Sequence, residues 1–212
     1  MDHHHSAFEK KTLYVVFITA VTMVVEIIFG LTTHSMALLA DGIHMGSHVL
    51  AIGLSWVAYV MVRRLSKSKN YQADATKLLS LSGYTSGLML LIFAFFILLE
   101  ATQRFFHPVD IQFNEAIVVA VIGLLVNLVS AAILHHDHHE GDHNIRAAYI
   151  HVLADALTSI AAIGGLFAAK YFGWLFVDAL AAVVSSLVII KWSIGLLKDS
   201  GKTLMDFKEN TL

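Results

Sequence analysis

Long apolar runs, broken at few positions by polar side chains, organise this chain. Crossing a hydrocarbon core takes about 20 helical residues, and six runs reach that length, at roughly 12–31, 36–62, 78–101, 113–134, 146–169 and 174–197. The pattern predicts an all-α membrane protein, a six-transmembrane-helix bundle. Its expected layout is an N-terminal arm over 1–11, a membrane domain over 12–197 and a short polar tail over 198–212. The first run contains Glu26, lacks a small-residue cleavage site and is too long for the apolar stretch of a signal peptide, so it reads as a retained helix.

Charge sets the expected orientation. Lys10 and Lys11, then Arg63, Arg64, Lys67, Lys69 and Lys77, then Arg146, then Lys198, Lys202 and Lys208 all fall on one side of the alternating spans, and they make up most of the 14 basic residues. Only Arg104 and Lys170 fall on the other side, and Lys191 lies inside the last span. The positive-inside rule then makes both termini cytoplasmic, which agrees with an even number of spans. The histidine-rich stretch 135–143 faces the cytoplasm on this reading.

Composition narrows the chemistry. Charged residues make up 14% of the chain and apolar ones 57%, whereas soluble domains carry about 25% charge. A net charge of -2 gives no basic footprint for nucleic acid. With no cysteine, any metal must be held by nitrogen and oxygen. The triplet His3, His4, His5 reads equally as native sequence or as the remnant of a tag.

Polar groups inside a span are costly, about 2.5–3.5 kcal/mol for a central charge on insertion scales, so their positions carry information. The second span reads Leu38-Leu39-Ala40-Asp41-Gly42-Ile43-His44-Met45-Gly46-Ser47-His48, and the fifth His151-Val152-Leu153-Ala154-Asp155-Ala156-Leu157-Thr158-Ser159. His44 with His48, and His151 with Asp155, are each four residues apart, which stacks each pair on one helix face. Two such pairs facing each other supply three imidazoles and one carboxylate, a tetrahedral set suited to Zn²⁺ and acceptable to Co²⁺. The competing reading is polar glue between helices; matched spacing in two spans favours the metal. Asp41, three and seven residues before the two histidines, is expected to orient a ligand or to replace one.

These residues resemble the cation diffusion facilitator family of metal/proton antiporters. Ser35-Met36-Ala37-Leu38-Leu39-Ala40-Asp41-Gly42-Ile43-His44 is similar to the family's second-helix signature, and His151 to Ser159 to that of its fifth helix. The resemblance covers about 12–205 and takes in Glu26, Gly30, Asn127 and Asp178. It is closest to the branch associated with cobalt, nickel and zinc efflux, where a histidine can stand at the position of His48. Many zinc-transporting relatives have aspartate there, which leaves the choice among Zn²⁺, Co²⁺ and Ni²⁺ open. The resemblance implies a homodimer in a bacterial inner membrane. It also implies a cytoplasmic metal-binding domain after the sixth helix, and the sequence ends at Leu212 without one; a naturally short member and a truncated chain both fit.

Other polar positions are less specific. His135, His136, His138, His139 and His143, with their acidic neighbours, suit weak cytoplasmic metal capture or a plain solvated loop. Glu26 is expected to line the cytoplasmic mouth or to bond a neighbouring helix, Asn127 to bond across the bundle, and Asp178 to act as a cap or a snorkelling residue. Phe93, Phe95 and Phe96 read as lipid-facing or core.

Metal binding needs neutral imidazole, and reference histidine titrates at about pH 6.5. Metal loading and protonation therefore compete, and the expected activity is metal efflux driven by protons with no bound cofactor. An intramembrane metalloenzyme would want an open coordination position and a general base, and no HExxH motif is present. A metal sensor or scaffold would bind without flux.

Overall fold

The computed structural model describes the backbone of residues 2–65, 75–135 and 143–207, with side chains over 17–47, 49–51, 53–64, 76–130, 132 and 156–207. Six helices make up the described residues: α1 (Asp2–Thr32), α2 (Met36–Leu65), α3 (Ala75–Phe106), α4 (Phe113–His135), α5 (His143–Phe172) and α6 (Phe176–Leu204). Among the described residues, four stretches are long and apolar enough to cross a membrane: Met36–Arg64, Thr76–Phe106, Phe113–Ser130 and Phe176–Leu204. Shorter apolar stretches occupy Phe17–Thr32 and Ala156–Phe172. The chain is thus an all-α membrane bundle.

Helix packing divides the bundle in two. α1, α2, α5 and α4 form a closed ring in which each touches the next, and α3 and α6 pair along their length and lean on α2. α2 touches α1, α3, α5 and α6, and α6 also packs on α5, so both α2 and α5 join the ring to the α3–α6 pair. The buried face of α6 is built from small residues, including Ala179, Ala182, Ser185, Ser186 and Ser193, which lets helix backbones approach closely where no hydrophobic force drives association. Two of the hydroxyls on this face bond back one turn, Ser186 to the Ala182 carbonyl at 2.7 Å and Ser193 to the Ile189 carbonyl at 2.8 Å, which satisfies both donors where they are buried.

The α1–α2 seam is tight. A Cβ added to Gly30 would lie 2.7 Å from both the Cα and the N of Leu39, so only glycine allows α1 to run this close to the α2 backbone. Outward, the bundle presents apolar side chains such as Phe93, Phe95, Phe96, Ile122 and Leu125. In a bilayer such a surface needs no further partner. The three phenylalanines are therefore lipid-facing rather than core.

One end of the bundle is closely tied. α1 ends at Thr32, and His34, with a positive φ of 61°, turns the chain so that α2 begins at Met36. Ser35 caps α2, its Oγ accepting the Leu38 N–H at 3.1 Å. Arg104 on α3 donates to the His34 carbonyl at 2.7 Å, and the Gln112 N–H donates to the Thr33 carbonyl at 3.0 Å. Lys170 at the end of α5 meets Asn114 at the start of α4, 2.6 Å apart. At the opposite end, Lys77 pairs with Asp206 at 2.7 Å. These contacts make successive helices antiparallel, as alternating spans require.

Candidate metal centre

The polar face of α2 is buried at the middle of the bundle. Asp41 and His44 are three residues apart, nearly one helical turn, and both are 2% exposed. Three other helices reach this face. From α5, the buried Ser159 hydroxyl donates to Asp41 Oδ2 at 2.7 Å. From α6, Trp192 packs on His44 with ring centroids 5.3 Å apart. From α1, Glu26 comes in beside Gly42, where an added Cβ would lie 3.0 Å from Glu26 Cβ.

Glu26 is fully buried, and both of its carboxyl oxygens are without a hydrogen-bond partner among the described residues. Of the two roles expected for Glu26, a bond to a neighbouring helix is not found among the described residues. Its carboxyl group projects toward α4, where a Cβ on Gly123 would overlap Oε1 and come within 2.9 Å of Cδ. It is near enough to Asp41 for the two groups to interact electrostatically. A buried acid inside a membrane helix is costly and marks a candidate functional position.

Asp178 is also buried, and its carboxylate is fully used. Oδ1 accepts from Ser35 Oγ at 2.7 Å and from the Ala37 N–H at 3.3 Å, while Oδ2 accepts from the Met36 N–H at 2.8 Å. It caps the N-terminus of α2, a helix other than its own. Of the two roles expected for it, capping holds and snorkelling does not. Asn127 is half-buried on α4.

Of the four expected ligands, His44 is described with its side chain; the side chains of His48, His151 and Asp155 lie outside the described residues, as do those of His135, His136, His138, His139 and His143. Among the described residues no three metal-ligating side chains gather. Ser159 and Trp192 are not among the site residues expected from the sequence. Ser159 carried a usable signal, since it continues the spacing of four from His151 through Asp155.

Comparison with known proteins agrees with this architecture. A family model described as the cation efflux transmembrane domain matches residues 12–205. The chain belongs to the cation efflux family. This is a family of multi-pass membrane transporters, not of enzymes. The zinc transporter ZitB of Pectobacterium atrosepticum is 35% identical over 97% of the chain, and the chain covers 65% of it. The cadmium, cobalt and zinc/H(+)-K(+) antiporter of Bacillus velezensis is 30% identical over 97% of the chain, with 66% of its length covered. ZitB of Escherichia coli is 32% identical over 93%, with 63% covered. The chain thus spans about two thirds of the length of these relatives.

Proposed function

We propose that this cation efflux domain carries Zn²⁺ or Co²⁺, with Ni²⁺ a further candidate, out of the cytoplasm in exchange for protons, through a tetrahedral site made by His44, His48, His151 and Asp155. The observation that carries the reading is the bond from Ser159 to Asp41. It supports a register in which the two expected pairs are level. Moving from that bond toward the cytoplasmic side, His44 follows Asp41 by about 4.5 Å of rise and His48 by about 10.5 Å. On the antiparallel α5, Asp155 precedes Ser159 by about 6 Å and His151 by about 12 Å. His44 is thus near the level of Asp155, and His48 near that of His151.

Three imidazoles and one carboxylate suit Zn²⁺ and Co²⁺. The printed names of the relatives, zinc transporters and a cadmium, cobalt and zinc antiporter, support the same class of cargo. Proton exchange follows from competition, because a protonated imidazole cannot bind metal. Alternating access comes from helices rocking about the fixed site. Asp41 orients a ligand or replaces one, and the histidines of 135–143 serve as a weak capture segment. The bacterial sources of the relatives support an inner-membrane location, the distribution of Lys and Arg supports cytoplasmic termini, and the family resemblance supports a homodimer.

Purified protein in proteoliposomes tests the reading. A pH gradient should drive Zn²⁺ or Co²⁺ flux, and Asp155→Ala should lower it by at least about tenfold. Binding without gradient-driven flux would contradict transport; unchanged flux in Asp155→Ala would contradict the site.

A further inference from the structure

We propose that Glu26 and Asp41 form a transit site for the outgoing metal ion, at the inner face of an apolar seal that closes the outer end of the α1–α2–α4–α5 ring. The inference rests on the reading that α2 and α5 carry the tetrahedral site. Glu26 lies beside Gly42 and Gly123, and Ser159 donates to Asp41, so all four helices of the ring meet at the level of these groups. One turn outward they meet again in a single apolar cluster. To it α1 gives Phe29, α2 Leu38, α4 Ala116 and Ala120, and α5 Ile163 and Leu166. Leu38, Ala116, Ala120 and Leu166 are fully buried. Phe29, Leu38 and Ala120 lie about 4.5 Å of rise outward of Glu26, Asp41 and Gly123 respectively, and Ile163 lies about 6 Å outward of Ser159. The same order, polar then apolar, holds on every helix of the ring.

Inward, His44 is about 4.5 Å of rise beyond Asp41, and Asp155 about 6 Å beyond Ser159. The acid pair thus stands between the tetrahedral site and the seal, on the release side and not at the cytoplasmic mouth. Glu26 is fully buried, and neither of its carboxyl oxygens is bonded among the described residues. Its carboxyl group occupies the place that a side chain on Gly123 would take. Carboxylate oxygens are ligands for Zn²⁺ and Co²⁺, and two acids close enough to interact are both stabilised by a cation that they share. Passage requires each station to hold the ion weakly enough to release it. Two carboxylates without imidazole meet that need better than the four-ligand site below them.

Exchange of radiolabelled for unlabelled Zn²⁺ across proteoliposomes at equal pH requires passage of the ion but no net proton movement. It would be measured, with equilibrium Zn²⁺ binding, for wild type, Glu26→Gln and Asp155→Ala. Glu26→Gln keeps the size of the side chain and removes its charge. Its exchange should fall at least about tenfold while Zn²⁺ affinity stays within about threefold of wild type, and Asp155→Ala should lose affinity. A purely structural role for Glu26 would lower both together. Exchange at the wild-type rate in Glu26→Gln would overturn the transit site, including the case where only gradient-driven flux is lost, which would make Glu26 a group that serves protons. Affinity lost as fully as in Asp155→Ala would also overturn it, by making Glu26 part of the tetrahedral site. Should Glu26→Gln fail to fold, Glu26→Asp, with its carboxylate drawn back by one methylene, decides by the same criteria. A wild type without exchange sinks the proposed function and the transit site together; wild-type exchange with an unaffected Glu26→Gln sinks the transit site alone.

Discussion

Ser159 on α5 and Asp41 on α2 are joined by a 2.7 Å hydrogen bond between two buried side chains 118 residues apart in sequence. Hydrogen bonds to charged groups contribute about 1.5–3 kcal/mol, although pairs between membrane helices average nearer 0.6 kcal/mol. Ser159→Ala should thus destabilise the bundle by about 0.6–3 kcal/mol. It should also weaken Zn²⁺ binding by roughly 10–100-fold, the usual effect of losing a group that orients a ligand. Titration calorimetry on the purified variant checks this. Affinity equal to wild type would mean that Asp41 has no part in holding the ion.

Gly30 gives a steric prediction. Its added Cβ meets the Leu39 backbone at 2.7 Å, and backbone cannot swing aside as a side-chain end can. Gly30→Ala should force α1 away from α2 and cost about 1–3 kcal/mol, as overpacking does. Gly195 on α6, where an added Cβ meets nothing within 4 Å, is the control, and Gly195→Ala should be close to neutral. Thermal unfolding of both variants in detergent makes the comparison; equal melting temperatures would contradict the close packing of α1 on α2.

Metal loading should fall as pH falls, because each imidazole ligand must lose its proton to bind. The sign follows directly: metal binding releases protons, so added protons displace metal. Apparent affinity should drop with falling pH by up to about tenfold per pH unit for each imidazole that takes up a proton, and level off once all the ligands are neutral. His48→Asp replaces one imidazole with a carboxylate and should flatten this dependence. A Co²⁺ absorption titration from pH 5.5 to 8 reads both slopes; identical slopes would remove His48 from the ligand set.

The helices were legible because a span is a local property of the sequence. Their ends were less so. The apolar run of the third span stops near 101, yet α3 continues to Phe106, since Arg104 finds Glu100 one turn back and the His34 carbonyl across the loop. Likewise α6 runs past 197 to Leu204, because a helix leaving the membrane keeps its own hydrogen bonds. It ends where Asp206 takes a positive φ and the Phe207 N–H returns to the Lys202 carbonyl.

At the site, the spacing of Asp41 and His44 announced one buried face, and the structure buries both. What spacing cannot reveal is the partner on another helix. Asp178 caps a helix 142 residues away, and Ser159 serves Asp41 rather than its own turn. Glu26 shows the same limit from the other side: an acid inside a span suggests a bond, and nothing local in the sequence tells that Gly42 and Gly123 are among the residues it meets.

The account turns on α2 and α5 sharing one ion. Crystals of the protein grown with Zn²⁺ and measured at the zinc absorption edge test this directly. It predicts one anomalous peak between the two helices, about 2.0–2.2 Å from nitrogen or oxygen atoms of His44, His48, His151 and Asp155. No peak there, or a peak confined to the histidines of 135–143, would contradict it.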